Sequence, residues 1–115
     1  MPFIKVQSTA SPDAQTIKTL LESLSAKLAQ HLGKSENYVM TAFEGEVPMT
    51  FGGTPDRVCF LEVKNIGTMK PEQTKTMSQD FCQTIARVLD VPSDRIYIEF
   101  ADAQRHLWGW KETTF

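Results

Sequence analysis

Apolar and polar residues alternate at the start of the chain, where Ile4 and Val6 are set against Phe3 and Lys5. A period of two predicts a β-strand over residues 2–8. Three more stretches, "NYVMTAF", "RVCFLEVKNI" and "RIYIEF", are typical of strands because β-branched and aromatic residues dominate them. A short piece near "VPMTF" runs into "FGG", which predicts a turn.

Two other segments carry apolar residues at helical spacing. In "SPDAQ", Ser11 is a candidate cap and Pro12 suits the first helical position, while Gly33 is placed to end the helix. Pro71 opens the second helix. The predicted buried faces are Ile17, Leu20, Leu21, Leu24, Leu28 and Leu32 in the first helix, and Met77, Phe81, Cys82, Ile85, Val88 and Leu89 in the second.

The second half of the chain repeats the order of the first. The text "LAQHLGKSENYVMTAF" aligns with "IARVLDVPSDRIYIEF", and duplication and shared packing rules explain this repeat equally well. The pattern predicts an α+β fold of two tandem β-α-β units, β-α-β-β-α-β, forming one domain over residues 1–115. Its four strands should form a mixed sheet with both helices on one face.

Helices on one face leave the other face of the sheet uncovered. Yet "VCFLEV" and "IYIEF" carry apolar or aromatic residues at both odd and even positions, which point to opposite faces of the sheet. This is typical of strands that are covered on both faces. Further copies of the chain are the simplest cover, so the pattern predicts self-association without fixing the number of subunits.

Composition narrows the function classes. With 115 residues and a net charge of -2, the chain lacks the basic surface that nucleic-acid binding requires. No apolar stretch approaches the roughly 20 residues of a membrane helix, and no secretory signal pattern is present, so we expect a cytoplasmic protein. Cys59 and Cys82 lie in apolar patterns and are expected to be buried hydrophobes rather than redox or metal-binding residues.

Pro2 has two interpretations. Proline lacks an N–H and therefore suits the first residue of a strand. Alternatively, aminopeptidases remove Met1 when a small residue follows it, which leaves a secondary amine on Pro2. A chain-terminal amine titrates at roughly 7.7 to 8.0 before any perturbation, close enough to neutrality to act as a general base.

The stretches "MPFI", "LAQHLGKSENYV", "FGG", "NIG", "SDRIYIEF" and "GWKETTF" together resemble the macrophage migration inhibitory factor family of the tautomerase superfamily. The resemblance spans the chain with its spacings intact. It implies a homotrimer whose three sheets enclose a barrel, with sites at the subunit interfaces. The implied activity is keto–enol tautomerisation of phenylpyruvate-like 2-oxo acids, without cofactor or metal.

The resemblance also implies roles for individual residues. Pro2 is the catalytic base, Lys34 holds the substrate carboxylate with help from the backbone N–H of Ile66, and Tyr97 reaches in from the neighbouring subunit. Without the resemblance, Lys34 would be a solvated loop residue and Tyr97 an ordinary strand residue. An apolar pocket disfavours a charged amine, and its candidate walls are Phe3, Tyr38, Trp108, Trp110 and Phe115.

Several positions depart from the best-known animal member. Lys64 and Asn65 replace a histidine and a serine, and Lys64 either adds positive charge at the pocket mouth or faces solvent. Trp108 replaces a valine. Glu99 replaces an asparagine, and a carboxylate near Pro2 would favour the protonated amine, so we expect weaker or altered activity. Two alternatives remain. Lys111 or Arg105 neutralises Glu99, or the Glu99 side chain points away from Pro2.

Two other function classes compete. A signalling or binding protein would keep the trimer with a vestigial pocket and would tolerate replacement of Pro2; the sequence identifies no receptor. An RNA-binding module with the same element order is disfavoured because the basic surface and paired aromatic motif are missing. His31, near the end of the first helix, is expected to be structural rather than catalytic.

Overall fold

The computed structural model describes residues 1–115 and follows the predicted order of elements. The strands are β1 (Phe3–Ser8), β2 (Met40–Glu44), β3 (Cys59–Ile66), β4 (Ile96–Ala103), β5 (Gly109–Trp110) and β6 (Thr113–Thr114). The helices are α1 (Ala14–Leu32) and α2 (Pro71–Leu89), and short 3₁₀ helices span Glu36–Tyr38, Ser93–Arg95 and Arg105–Leu107.

Four strands form one mixed sheet in the order β2-β1-β3-β4. The central strand β1 pairs in parallel with β2 and antiparallel with β3, so that Phe3 lies opposite both Met40 and Lys64. Strand β3 then pairs in parallel with β4. The predicted β-α-β-β-α-β fold and mixed four-stranded sheet are therefore confirmed.

Both helices pack on the same face of this sheet. Ile4 and Val6 of β1 are fully buried, as the alternating pattern predicts, and they share one core with residues of both helices. Burying such side chains stabilises the fold by about 1.5 to 3 kcal/mol each. The largest members of the core are Leu20, Leu24, Leu28, Leu61, Met77, Phe81 and Ile85.

The start of α1 differs from the prediction. The helix begins at Ala14, and Asp13 caps it by accepting a hydrogen bond from the backbone N–H of Thr16 at 2.8 Å. Asp13 occupies the extended cap conformation, which leaves Ser11 and Pro12 outside the helix. The end is as predicted: Gly33 adopts left-handed φ of 63°, which glycine accepts at no steric cost.

Three strand boundaries also differ from the prediction. "NYVMTAF" forms a strand only from Met40, because the preceding Glu36–Tyr38 turn is capped by the Ser35 hydroxyl. The strand predicted in "RVCFLEVKNI" begins only at Cys59, and the strand predicted in "RIYIEF" continues to Ala103. "FGG" is the predicted turn, closed by paired backbone hydrogen bonds between Phe51 and Thr54.

The internal repeat has a structural counterpart. Helices α1 and α2 both end in a left-handed residue, Gly33 and Asp90, and each is followed by a 3₁₀ turn and a strand. Asp tolerates the left-handed region better than most residues because its short side chain bonds locally. The two β-α-β halves are therefore built alike.

The face of the sheet opposite the helices is uncovered in a single chain. Phe60 and the 64% exposed Tyr97 are paired there near one end of β3 and β4. The middle row is charged, since Lys5 lies opposite Glu62 and Glu62 opposite Glu99. The helix-free face therefore combines apolar side chains near its ends with a charged row across its middle.

The cysteines behave as the sequence predicts, with one difference. Cys59 is fully buried and burial raises its thiol pKa to about 12. Cys82 is only half-buried, and desolvation again raises its pKa. Neither thiol is activated as a nucleophile.

Neither helix is long and apolar enough to cross a membrane.

Asp80 links the two helices. Its carboxylate contacts Lys27 Nζ at 2.8 Å and His31 Nε2 at 2.7 Å, and both of these residues belong to α1. The His31 ring also meets Phe81 edge-on, with centroids 5.7 Å apart. His31 therefore has a structural role, as expected. Partial burial of Asp80 opposes ionisation, but hydrogen bonds from Lys27 and His31 outweigh it and lower the pKa of the carboxyl.

Replacing Asp80 should destabilise the fold in a pH-dependent way. Asp80→Asn removes the ion pair with Lys27 and the charged partner of His31, and we expect it to lower the free energy of unfolding at pH 7 by about 1 to 2 kcal/mol. Because the folded pKa lies below the unfolded one, the stabilisation is complete above the ordinary aspartate pKa and disappears as pH falls through the lowered folded value.

Urea denaturation followed by far-ultraviolet circular dichroism at fixed protein concentration measures this effect. Glu22→Gln on the exposed face of α1 is the matched control, because Glu22 forms no ion pair. A stability difference between wild type and Asp80→Asn that persists unchanged at pH 2.5 (about a unit below the ordinary aspartate value) would contradict the ion-pair explanation.

Candidate functional site

Pro2 lies at the head of the central strand and is buried. Its carbonyl accepts the backbone N–H of Met40 at 3.1 Å, which extends the pairing of β1 with β2 past Phe3. Two adjoining cavities open at Pro2, and Tyr38 and Phe115 line both of them. We call them the polar cavity and the aromatic cavity.

The polar cavity has a volume of about 320 Å³. Two cationic side chains, Lys34 and Arg105, line it, and no acidic side chain does. Its walls are Met1, Pro2, Lys34, Ser35, Tyr38, Ile66, Arg105 and Phe115. This charge balance suits an anionic ligand beside Pro2.

Lys34 is fixed in place by the end of β3. Its Nζ donates to Oδ1 of Asn65 at 2.8 Å and to the carbonyl of Ile66 at 2.6 Å. Asn65 is itself buried, and its amide also reaches the carbonyl of Gly67 at 3.5 Å. An ammonium has three donors, so one remains after these two bonds, and in the chain that keeps Met1 it acts on the terminal amine. Lys34 is therefore an anchored cation and not a solvated loop residue.

The amine at the start of the chain shows the electrostatic effect of this site. The pKa of the Met1 amine is lowered from 8.0 to about 6, first by desolvation and then by the charge and hydrogen bond of Lys34, with a smaller contribution from Arg105. Each cause disfavours the charged amine. The Met1 amine is therefore largely neutral at pH 7.

The aromatic cavity has a volume of about 470 Å³. Trp110 is its central ring: it stacks on Phe115 with centroids 5.4 Å apart and meets Tyr38 edge-on at 5.7 Å. Its walls are Met1, Pro2, Phe3, Asn37, Tyr38, Val39, Met40, Lys64, Trp108, Gly109, Trp110 and Phe115. Such a wall suits a flat apolar group attached to the anion.

A small hairpin, which the sequence pattern did not predict, supports these rings. Strands β5 and β6 are joined by Lys111 and Glu112, which both have left-handed φ, 57° and 65°. Residues of this conformation match the twist of a two-residue hairpin, although asparagine and glycine are the usual choices. The N–H of Phe115 then donates to the carbonyl of Trp108 at 3.2 Å, which brings Phe115 back over Pro2.

Most of the predicted site residues lie together. Asn65 contributes by holding Lys34, and Lys64 lines the aromatic cavity while being exposed to solvent. The residues that line one or both cavities are Pro2, Phe3, Lys34, Tyr38, Lys64, Ile66, Trp108, Trp110 and Phe115.

Tyr97 and Glu99 lie outside both cavities within the chain. Tyr97 pairs with Phe60, toward the far end of the sheet from Pro2, and its ring packs on Phe51 at 4.8 Å. Within one chain, Tyr97 is therefore remote from Pro2. Glu99 is exposed and forms no ion pair.

The two neutralising partners considered for Glu99 are engaged elsewhere. Lys111 lies over the Trp110 ring at 5.3 Å, and Arg105 Nε donates to the main-chain oxygen of Phe115 at 3.0 Å. Within one chain, therefore, neither residue neutralises Glu99, which lines neither cavity.

Sequence reasoning missed two residues of the polar cavity. Ser35 follows Lys34 and caps the next turn, and Arg105 was considered only as a partner for Glu99. The available signal for Arg105 was its place in a segment that ends in "GWKETTF", which the resemblance already associated with the site. The 3₁₀ turn Arg105–Leu107 carries it to the cavity.

Comparison with known proteins bears on this arrangement. The family model for macrophage migration inhibitory factor (MIF) matches residues 1–115. The chain belongs to the MIF family. It is 32% identical over 115 residues to the macrophage migration inhibitory factor of Meriones unguiculatus and 30% identical to the homolog of Brugia malayi, covering 100% of this chain and 99% of each relative.

A solved structure gives the same result. The crystal structure of the MIF homologue from Prochlorococcus marinus matches with a TM-score of 0.93 and 43% identity, covering 98% of both chains. MIF proteins belong to the tautomerase superfamily and are generally homotrimeric. Membership supports an isomerase-type activity in general.

The cationic surroundings of this MIF-family protein's terminal amine give a direct prediction. In protein whose mass shows that Met1 is retained, we expect the amine to titrate with a pKa of about 6. Lys34→Gln should raise that pKa toward 8.0, because a nearby positive charge and its hydrogen bond are lost. The pH dependence of the rate of amine labelling by cyanate measures it.

Lys75→Gln is the control for this measurement, because Lys75 is exposed on α2 and forms no ion pair. An amine pKa that is the same in wild type, Lys34→Gln and Lys75→Gln would show that Lys34 does not act on the amine.

Proposed function

We propose that this protein is a keto–enol tautomerase for phenylpyruvate-like 2-oxo acids, a cytoplasmic homotrimer in which the amine of Pro2 is the general base once Met1 is removed. The observation that carries the proposal is the position of Pro2, buried at a cavity beside the anchored cation Lys34, where burial and positive charge both disfavour a protonated amine. A general base works best when its pKa is close to the working pH. Retained Met1 would make the Pro2 nitrogen an amide, which has no basic lone pair.

The proposed reaction interconverts the keto and enol forms of the acid by moving one proton between C3 and the carbonyl oxygen. The neutral Pro2 amine takes a proton from C3 of the keto acid, and the C3–H electron pair forms the C2–C3 double bond. The carbonyl oxygen becomes a hydroxyl by taking that proton from the protonated amine, directly or through a water molecule, which leaves the amine neutral again. The protonated amine returns its proton to C3 in the reverse reaction. Atoms and charge balance without an oxidant, reductant or cofactor.

The other site residues orient the substrate. The remaining donor of Lys34 binds the carboxylate, in reach of the backbone at Ile66, which fixes C3 near Pro2. The aromatic ring of the substrate fits among Trp108, Trp110 and Phe115. A donor to the carbonyl oxygen is supplied in this proposal by Tyr97 of the partner subunit.

Two features of the chain support the trimer. The helix-free face leaves Tyr97 64% and Met40 66% exposed, which is unusual for large apolar side chains at a sheet surface. The proposed site would also be incomplete in one chain, because its proposed donor Tyr97 lies toward the opposite end of the sheet from Pro2. Association of the sheets of several chains would cover the exposed Tyr97 and Met40 side chains and bring Tyr97 of one chain to the site of another.

Blocking the Pro2 amine should abolish turnover. Insertion of one alanine between Met1 and Pro2 makes the Pro2 nitrogen an amide, and we expect the enol-to-keto conversion of phenylpyruvate to fall at least about 100-fold. In wild type, activity should decline as the pH falls through the pKa of the Pro2 amine, since the base must be neutral. Ultraviolet absorbance follows the reaction, on protein whose mass confirms removal of Met1.

Pro2→Gly is the companion variant, because it keeps a free amine while removing the secondary ring nitrogen, and it should retain intermediate activity. Equal rates in wild type and the insertion variant, or no rate above buffer in either, would contradict the proposal. That result would favour a binding or signalling role that keeps the scaffold.

The trimer and its shared site give a separate prediction. Light scattering after size exclusion should give a mass three times that of the 13.0 kDa chain. Tyr97→Phe should leave this mass unchanged and lower kcat, because only the hydroxyl is removed. A monomeric mass, or a kcat equal to that of wild type, would count against Tyr97 acting across an interface. Thr76→Ser, on the exposed face of α2, is the control.

A further inference from the structure

Arg95 lies in the 3₁₀ turn that precedes β4, and its guanidinium is bound to the loop between β2 and β3. The half-buried side chain donates four hydrogen bonds, all of them to main-chain carbonyls. The acceptors are the carbonyls of Arg57 (from Nε, 2.8 Å), Phe51 (from Nη1, 3.2 Å), Thr54 (from Nη2, 3.1 Å) and Asp56 (from Nη2, 3.0 Å). A guanidinium has five N–H donors, so most of its capacity holds this one loop.

The loop has little other attachment through its main chain. Phe51 and Thr54 pair with each other, and Gly52 and Gly53 between them have left-handed φ of 59° and 80°. Apart from this internal turn, the main chain of residues 48–57 hydrogen-bonds only with Arg95. Removal of the guanidinium would therefore release the loop from β4 and leave its turn intact.

Phe51 connects this loop to Tyr97. The guanidinium of Arg95 lies over the Phe51 ring, 5.4 Å from its centroid, and the same ring packs on Tyr97 with centroids 4.8 Å apart. Tyr97 is otherwise 64% exposed, with Phe60 beside it in the sheet. An exposed side chain has several staggered rotamers available, and packing against a neighbouring ring selects among them. The place of Phe51 therefore sets the direction of the Tyr97 hydroxyl.

We propose that Arg95 is a positioning residue for Tyr97: it fixes the loop that carries Phe51, and Phe51 directs the Tyr97 hydroxyl toward the site of a neighbouring subunit. This inference rests on the proposed function, in which Tyr97 donates to the substrate carbonyl across the interface. Arg95 touches neither the substrate nor the reacting atoms. It acts because a donor stabilises the charge that develops on an oxygen only when it points at that oxygen.

Fluorine NMR tests the contact without turnover. The chain has two tyrosines, Tyr38 and Tyr97, so protein made with 3-fluorotyrosine gives two signals, and Tyr97→Phe identifies them. We expect Arg95→Gln to shift the Tyr97 signal more than the Tyr38 signal, because the Phe51 ring leaves its place beside Tyr97. Arg95→Lys should shift it as well, since an ammonium has three donors and cannot meet four carbonyls.

A second variant keeps the four hydrogen bonds and removes the ring. In Phe51→Leu the carbonyl of residue 51 still accepts from Arg95, whereas the aromatic contact with Tyr97 is lost. This variant should shift the Tyr97 signal as Arg95→Gln does. Circular dichroism and the light-scattering mass of each variant check that fold and assembly are retained. A Tyr97 signal that stays in place in Phe51→Leu would overturn the role given to Phe51.

Turnover gives the second readout. Arg95→Gln should lower kcat for phenylpyruvate at least about threefold, since a ring free to visit three staggered rotamers occupies the required one about a third of the time. KM should change less, because Lys34 binds the carboxylate in the proposed reaction. In Tyr97→Phe protein the same substitution should have no further effect, because the positioned hydroxyl is already absent. Arg87→Gln is the control, since Arg87 is exposed on α2 and forms no ion pair.

The outcomes separate this inference from the proposed function. A shifted Tyr97 signal in Arg95→Gln, without turnover by the wild type, would overturn the proposed tautomerase and leave Arg95 as the residue that orients Tyr97. Turnover with equal losses of kcat in the presence and absence of the Tyr97 hydroxyl would overturn the inference, because Arg95 would then act through another group. An unmoved Tyr97 signal in Arg95→Gln, or full rescue of signal and kcat by Arg95→Lys, would overturn it as well.

Discussion

The pairing of β1 on both of its edges is the constraint on which the rest of this molecule depends. Strand β1 joins the two β-α-β halves, parallel to β2 on one side and antiparallel to β3 on the other. A strand held on both edges cannot shift register without moving its buried residues to the wrong face. Pro2 is therefore fixed at the head of the sheet, next to the end of β3 that anchors Lys34.

Local patterns were sufficient to predict the secondary structure and the order of elements. The alternation at Ile4 and Val6, the helical spacing in α1 and α2, and Gly33 all record local backbone preferences, which a single sequence carries. The start of α1 was wrong because Ser11 and Asp13 are both competent caps, and sequence alone does not rank them. The C-terminal hairpin was missed because Lys111 and Glu112 are not typical of such turns.

The candidate site was predictable only as far as family resemblance reached. Pro2, Lys34 and the aromatic residues were expected there, and they lie together at two cavities. The contact of Lys34 with Asn65 and the place of Arg105 depend on tertiary packing between distant segments, which no local pattern records. The environment of Glu99 depends on association between chains, so neither its sequence position nor one chain's fold determines it.

Both tryptophans of the chain, Trp108 and Trp110, line the aromatic cavity. Indole fluorescence responds to neighbouring charges, stacked rings and water, and Trp110 has Lys111 over its ring and Phe115 stacked on it. The core and the helices contribute no indole signal. The intrinsic emission of this protein is therefore an internal optical probe of the candidate site, and it needs no attached label to follow a ligand entering beside Pro2.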